Sequence, residues 1–82
     1  MELVLLTEEL VKALALNKEA VSVKEFESSE EDTIVIQVMI DSSDMGRVIG
    51  KAGKIANSIR TIVQASSYLK DNKRVKINID SF

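Results

Sequence analysis

The segment at residues 48–55 reads VIGKAGKI, so two glycines three positions apart enclose a lysine and an alanine. Because glycine has no Cβ atom, Gly50 and Gly53 allow the backbone to turn sharply and to come close to a ligand. A helical pattern follows at once, which places unpaired N–H groups at a helix N-terminus, where anions are attracted. The basic side chain of Lys51 lies inside the glycine pair, and that of Lys54 lies just after it. These residues predict a loop that holds a phosphate backbone.

The charge of the chain is segregated around this loop. The net charge is −2, but residues 45–70 contain no acidic residue and all three glycines. The simpler explanation is a solvated helix face with a surplus of lysine, and the coincidence of positive charge with the glycine loop disfavours it. An acidic remainder would repel RNA from the other surfaces. The five basic residues of the window are Arg47, Lys51, Lys54, Arg60 and Lys70.

The composition narrows the classes of function. Eighty-two residues are enough for one small domain, predicted over residues 1–82. The chain has no cysteine and no histidine, so we expect no disulfide, none of the usual zinc sites and no cofactor. No catalytic residue is assigned, and neither an enzyme nor a small-molecule substrate is expected. The apolar run from Leu3 to Leu6 is too short for a signal peptide or a membrane span, so the prediction is a cytoplasmic protein that does not enter a membrane.

Spacing excludes two other glycine motifs. A Walker A loop needs four residues between its glycines, followed by Lys-Ser or Lys-Thr. Gly46 and Gly50 have three residues between them, and Lys51 is followed by Ala52. The same G-x-x-x-G spacing lies in a charged segment and not in an apolar membrane span. The glycine spacing alone is also compatible with a tight helix–helix turn that binds no ligand. The basic and apolar neighbours of the loop favour a functional interpretation.

Periodicity predicts the elements that precede the loop. A helix is expected over about residues 2–16, with Asn17 as its stop. Val21 and Val23 alternate with polar residues in a first strand, and Phe26 breaks that register, which predicts a bulge or a twist. A second strand is predicted over residues 33–40, with alternate apolar residues on one face. The apolar stripe of the helix consists of Leu3, Leu6, Leu10, Ala13 and Leu14, broadened by Val11 and Leu16.

The loop itself is expected between two helices. Ser43 or Asp44 is predicted to cap a short helix that Gly50 ends. A longer helix is expected over residues 53–69, and a last strand over residues 74–80. The element order α-β-β-α-α-β predicts an α+β fold, in which three helices pack on one face of a three-stranded sheet. The apolar stripe of the longer helix consists of Ile55, Ile59, Ile62 and Val63, extended by Ala65 and Ser66.

The sequence around the loop resembles a KH domain, and specifically the small bacterial single-KH-domain proteins of the KhpA family. The match is carried by DMGRVIGKAGKIA at residues 44–56 and by SIRT at residues 58–61. It extends to LVKAL at residues 10–14 and to VSVKE at residues 21–25, so it covers essentially the whole chain. The predicted element order agrees with the type II arrangement of KH domains.

The resemblance implies three groups of RNA-binding residues. The loop residues would contact the sugar-phosphate backbone, and they are Gly50, Lys51, Ala52 and Gly53. Apolar side chains beside the loop would form the groove that receives bases, and they are Val48, Ile49 and Ile55. Basic side chains would supply positive charge around that groove, and they are Arg47, Lys54 and Arg60.

The resemblance also implies a cellular role. It indicates a protein that binds single-stranded RNA without catalysis, acts as an RNA chaperone, pairs with a larger KhpB-type KH protein and influences cell shape and wall homeostasis. Because binding at one site would be weak, a homodimer or such a heteromer is expected, and Tyr68 is interpreted as a core or dimer-interface residue. Two alternatives stay open: a KH-shaped module that binds another protein and has little RNA affinity, and binding of single-stranded DNA, which has the same phosphate spacing.

Overall fold

The computed structural model describes residues 2–82, so Met1 of the predicted domain lies outside the described residues. Within this part of the chain, no helix is both long enough and apolar enough to cross a membrane. Short 3-10 turns at Lys18–Ala20, Ser42–Asp44 and Lys51–Gly53 join longer elements. The helices are α1 (Leu3–Leu14), α2 (Met45–Ile49) and α3 (Lys54–Lys70), and the strands are β1 (Ser22–Glu27), β2 (Thr33–Ile40) and β3 (Arg74–Ser81).

The sheet has β2 at its centre. β1 pairs with β2 in the antiparallel direction through a hairpin, and β3 pairs with β2 in the parallel direction, so α2 and α3 form the crossover between them. Side chains alternate between the two faces of a strand, and the residues of β2 are alternately buried and half-buried. The helices pack on the buried face, so the predicted fold and the predicted faces of β2 are confirmed. The buried residues of β2 are Ile34, Ile36, Val38 and Ile40.

The register of β1 is unbroken, so the predicted bulge at Phe26 is wrong. Each residue of β1 has one partner on β2, and Phe26 pairs with Val35. Phe26 points to the side of the sheet opposite the helices, where its ring is half exposed. We call this side the open face, and its residues include Lys24, Phe26, Val35, Gln37, Lys76 and Asn78.

The buried line of α1 differs from the predicted stripe. The helix ends at Leu14, earlier than expected, and Ala13 and Leu16 are exposed. Thr7, a polar residue outside the predicted stripe, is fully buried. Its hydroxyl group donates a hydrogen bond to the Leu3 carbonyl oxygen at 2.8 Å, which satisfies the polar group inside the core.

The buried line of α3 is also displaced from the predicted stripe. Ile62 is 47% exposed, and Ala65 is exposed as well, so both predictions are wrong. Ser67 is buried instead, because its hydroxyl group donates to the Lys73 carbonyl oxygen at 2.7 Å. Helical spacing predicts a broad apolar stripe along a helix. The packing of that helix against the sheet decides which residues at the edges of the stripe are buried. The buried residues of α3 are Ala56, Ile59, Val63 and Ser67.

Candidate nucleic-acid interface

The start of α2 is held by a buried carboxylate at the predicted cap position, Asp44. Asp44 occupies the cap position but makes no capping hydrogen bond, while Asp41 accepts from the Ser43 N–H at 3.0 Å and caps the turn before α2. The Asp44 carboxylate turns inward and accepts from the main-chain N–H groups of Leu16 and Asn17, each at 3.0 Å. The bonds from Asn17 and then Leu16 hold the pKa of the Asp44 carboxyl below its usual range. The chain after α1 is thereby tied to α2.

Arg47 contacts the same carboxylate from one turn further along α2. Its Nη1 atom donates to the Ser43 carbonyl oxygen at 2.9 Å and to Asp44 Oδ1 at 3.2 Å. The Arg47 side chain is nevertheless 46% exposed. Arg47 therefore contributes a charge at the surface that is partly balanced by Asp44.

Gly50 ends α2 through a conformation that a side chain would obstruct. Its φ is 76° and its ψ is 175°, and its N–H donates to the Gly46 carbonyl oxygen at 3.0 Å. A Cβ atom at this position would lie 2.5 Å from Cγ1 of Ile55, well inside van der Waals contact. The loop backbone thus lies directly on the Ile55 side chain, and only glycine allows this approach.

The second half of the loop is left-handed at two successive residues. Ala52 has φ 56° and ψ 27°, and Gly53 has φ 74° and ψ 11°. For alanine this conformation costs about 1–2 kcal/mol, so the sequence did not suggest it. Among residues 2–82, no side chain caps the N-terminus of α3, and the N–H groups of Gly53 and Lys54 donate instead to the carbonyl oxygens of Gly50 and Lys51. Lys51 and Ala52 are exposed at the tip of the loop.

The three apolar residues of the predicted groove occupy different depths. Val48 has no exposed surface and lies in the core beneath the loop. Ile49 and Ile55 are half-buried, on either side of the glycine pair. Ile49 and Ile55 can therefore contact a ligand, whereas Val48 supports the two helices that carry the loop.

The structure brings three of the four predicted basic residues to the loop. Arg47 lies in the last turn before Gly50, Lys51 lies in the loop, and Lys54 is the first residue of α3. Within residues 2–82, neither lysine takes part in an ion pair. Arg60 lies six residues into α3, which is about 9 Å along the helix axis. It donates from Nε to the Ile77 carbonyl oxygen at 3.3 Å and from Nη1 to Asn57 Oδ1 at 3.2 Å, so its guanidinium group joins β3 to the first turn of α3.

Sequence reasoning missed two polar side chains that join one element to another. Asn17 donates from Nδ2 to Asp44 at 3.2 Å, beside the bond from its main chain. Gln64 joins α3 to the outer edge of β3, because it accepts from the Val75 N–H and donates to the Lys73 carbonyl oxygen, both at 2.9 Å. The sequence shows that Asn17 and Gln64 are polar. It does not show which residues they contact, because those residues belong to other elements of the fold.

Comparison with known proteins agrees with this geometry. The family described as "KhpA/KhpB, KH domain" matches residues 5–79. "RNA-binding protein KhpA" of Caldanaerobacter subterraneus subsp. tengcongensis is 43% identical over 90% of this chain and 95% of its own length. The protein of the same name from Clostridium perfringens is 40% identical over the same shares of the two chains. These relatives are named as binding proteins and not as enzymes, in agreement with the prediction of a non-catalytic protein.

Solved structures show the same fold within longer chains. A crystal structure of Era in complex with MgGDPNP and nucleotides 1506–1542 of 16S ribosomal RNA has a TM-score of 0.68 at 17% identity. Aquifex aeolicus Era bound to GDP and AlF4- has a TM-score of 0.70 at 16% identity. The chain is covered to 96% and 98% in these comparisons but spans only 29% and 30% of the Era chains. Together with the family match, these findings show that the chain belongs to the KhpA/KhpB family and has the type II KH fold.

Proposed function

We propose that this KH domain binds single-stranded RNA at the glycine loop. The observation that carries the proposal is the turn at Gly50–Gly53, which exposes Lys51 in a stretch of chain with no acidic residue; Lys51 forms no ion pair within the described residues 2–82. The two KhpA relatives named above are RNA-binding proteins. The same geometry accommodates single-stranded DNA, because its phosphates are spaced alike and only the 2′-hydroxyl differs.

In the proposed mechanism, the loop holds the backbone and the flanking helices contact the bases. Phosphate oxygens accept hydrogen bonds from main-chain N–H groups of the loop, and Lys51 and Lys54 balance their charge. Bases lie against the half-buried side chains of Ile49 and Ile55. The positive φ at Gly50 keeps the tip of the loop turned away from the core, so a strand can approach without a change of fold.

Binding at one such site is expected to be weak and salt-dependent. If three or four phosphates are neutralised, the slope of log K against log salt is about −2 to −3 for a single strand. The carboxylate at the N-cap position of α2, Asp44, is buried and hydrogen-bonded, so it does not face the strand. A second site in a dimer would raise the affinity through effective concentration.

The test is a titration of labelled single-stranded RNA with wild type and with Lys51→Asp/Ala52→Asp. A matched control is Lys24→Asp/Asn78→Asp, which makes the same change of charge on the open face, at two exposed residues. We expect the loop variant to lose binding and the control to bind within about threefold of wild type, because only the loop contacts phosphate. Circular dichroism confirms folding. Equal binding by the two variants would place the RNA elsewhere.

We further propose a KhpB-type KH protein as a partner, with a homodimer as the alternative assembly. The family description joins KhpA and KhpB. The residues available for such a contact lie on α3, where Ile62, Tyr68 and Leu69 are 47%, 52% and 90% exposed. Size-exclusion chromatography with light scattering, alone and with the partner, tests this. The proposal is contradicted if the protein stays monomeric at high concentration, does not bind the partner, and has the same mass in light scattering after Leu69→Asp.

The finer roles that the family resemblance implies belong to the same proposal. We propose that the protein acts as an RNA chaperone in the cytoplasm and that this activity underlies effects on cell shape and wall homeostasis. Strand-annealing assays with wild type and Lys51→Asp/Ala52→Asp test the chaperone activity, and microscopy of cells that carry each variant tests the cellular role. If RNA does not bind while a KH partner does, the protein-interaction alternative replaces the RNA proposal.

A further inference from the structure

A groove of about 470 Å³ lies between α3 and the outer edge of β3, and the loop mechanism makes no use of it. Its volume is within the range of ligand-binding sites. Within residues 2–82, none of the side chains that line it is acidic, and α3 itself carries no acidic residue. The lining residues are Arg60, Thr61, Gln64, Ala65, Tyr68 and Val75.

The edge of β3 that borders this groove is already occupied by side chains of α3. β3 bonds to β2 from its even-numbered positions, as at residues 74 and 82, so its odd-numbered residues turn their main-chain groups outward. The Val75 N–H donates to Gln64 Oε1 at 2.9 Å, and the Ile77 carbonyl oxygen accepts from Arg60 Nε at 3.3 Å. Neither Val75 nor Ile77 therefore offers a free main-chain donor and a free acceptor together.

This occupied edge disfavours two kinds of contact. A peptide strand that extends the sheet needs the main-chain groups of the edge. A base that is read through its hydrogen-bonding edge needs a donor and an acceptor side by side. Either ligand would have to displace Arg60 and Gln64 from β3. What the groove offers without displacement is apolar and aromatic surface.

Tyr68 supplies the aromatic surface. It is 52% exposed, and it lines the groove together with Val75 and Ala65. Successive residues of an α-helix are about 100° apart around the axis, so Tyr68 faces a different direction from Leu69 and, seven residues before it, Ile62. Proteins hold unpaired bases by stacking them on exposed aromatic rings, and stacking accepts every base because each has a π-face.

The groove continues from the glycine loop along α3. Asn57, in the first turn of α3, has its Nδ2 atom 4.0 Å from the position of a Cβ atom on Gly53. Arg60 Nη1 donates to Asn57 Oδ1 at 3.2 Å and lies at the near end of the groove. Tyr68 lies about 21 Å along the helix axis from Lys54. A strand held at the loop thus passes the positive charge of Arg60 before it reaches Tyr68.

We propose that a base of the bound RNA stacks on Tyr68 in the groove between α3 and β3, and that the groove accepts A, C and U alike because Arg60 and Gln64 occupy the edge of β3. The inference rests on the proposed function of the loop, which holds the strand. It adds a contact through which the domain holds bases without reading their identity.

The first test uses the wild type alone, because Tyr68 is the single tyrosine and the chain has no tryptophan. Its fluorescence is recorded while unlabelled oligo-A, oligo-C or oligo-U is added, and N-acetyltyrosinamide in the same solutions corrects for absorption by the RNA. We expect each oligoribonucleotide to quench Tyr68 along the binding curve that a labelled strand gives. Binding without quenching overturns the proposal.

The second test compares the affinities of wild type, Tyr68→Ala and Tyr68→Phe for the same three oligoribonucleotides. We expect Tyr68→Ala to bind at least about fivefold more weakly and Tyr68→Phe to bind within about twofold of wild type, because phenylalanine keeps the ring. The matched control is Phe26→Ala, which removes another ring that is 52% exposed but lies on the open face. It is expected to keep the wild-type affinity. Circular dichroism confirms folding, and light scattering confirms that each variant is compared at the wild-type mass.

The tolerance of the groove is tested by the spread of wild-type affinities. We expect the dissociation constants for oligo-A, oligo-C and oligo-U to agree within about fivefold, less than one base-reading pair of hydrogen bonds provides. A wider spread overturns the tolerance. A smaller loss in Tyr68→Ala, an equal loss in Tyr68→Phe or an equal loss in Phe26→Ala overturns the stacking.

The inference and the proposed function fail in different ways. RNA binding by Lys51→Asp/Ala52→Asp at wild-type affinity would overturn the proposed function of the loop. Loss of binding in that variant, with no effect of Tyr68→Ala, overturns the stacking on Tyr68 alone.

Discussion

The two ends of α2 are held by different physical means. At the amino end, the Asp44 carboxylate makes side-chain hydrogen bonds to residues 27 and 28 positions away in the sequence. At the carboxyl end, Gly50 adopts a positive φ and its backbone lies against Ile55, five residues later. The first arrangement depends on charge and on distant packing, whereas the second depends on steric space within the loop. The glycine loop is thus positioned by an electrostatic contact on one side and by a steric contact on the other.

The largest effect should come from a side chain at the steric end. Gly50→Ala places a Cβ atom 2.5 Å from Ile55 Cγ1, in a conformation that alanine rarely adopts. We expect the free energy of unfolding to fall by about 2–5 kcal/mol, from overpacking together with the positive φ. Urea denaturation measures it. Gly46→Ala is the control, because nothing lies within 4 Å of its new Cβ atom. Because alanine is the better helix former, this change should leave the stability unchanged or raise it by up to about 1 kcal/mol, and equal losses in both variants would contradict the steric account.

The electrostatic end should respond to pH, and the steric end should not. The hydrogen bonds lower the folded-state pKa of Asp44 below its ordinary value of 3.8, so the folded state favours the ionised form. Asp44 therefore contributes stability above about pH 4, and this contribution disappears as the pH falls through the folded-state pKa. We expect Asp44→Asn to be less stable than wild type at pH 6, with a difference that shrinks toward pH 2. Urea denaturation across this range checks it, and a difference that does not change with pH contradicts the assignment.

Gly53 offers a milder test of the steric end. Its φ is 74°, but the nearest atom to an added Cβ, Asn57 Nδ2, is 4.0 Å away. Gly53→Ala should therefore cost only the conformational strain, about 1 kcal/mol. Comparison with Gly50→Ala in the same denaturation experiment separates strain from collision. Equal losses at the two glycines would show that the contact with Ile55 is unimportant.

The smallest effect, with the opposite sign, is expected at Ala52. This residue has φ 56°, which glycine adopts without strain. Ala52→Gly should stabilise the domain by about 0.5–1 kcal/mol, because the relief of strain exceeds the greater entropy of the unfolded glycine. Calorimetry of Ala52→Gly should show a small rise of the melting temperature. A fall would mean that the loop gains rigidity from Ala52 that outweighs its strain.

The elements of the fold could be predicted because their signals are local. The alternation of Ile34, Ile36, Val38 and Ile40 defines β2 and its buried face, and the structure has both. The edges of the helical stripes could not be predicted in the same way. Ile62 and Ala13 have apolar side chains at suitable spacing, yet they lie just outside the contacts that α3 and α1 make. Thr7 and Ser67 are buried instead, because each satisfies its hydroxyl group with a nearby carbonyl oxygen.

The sequence by itself determined the glycine loop, the acid-free stretch around it and the order of the elements, because glycine stereochemistry, charge and periodicity act over a few residues. Only the tertiary structure decided what Asp44 and Arg60 do. Asp44 has the sequence of a helix cap but receives hydrogen bonds from Leu16 and Asn17. Arg60 was visible as a basic residue, but its hydrogen bonds to Ile77 on β3 and to Asn57 on α3 were not. The partner of a polar side chain is set by the packing of distant elements, which local pattern does not contain.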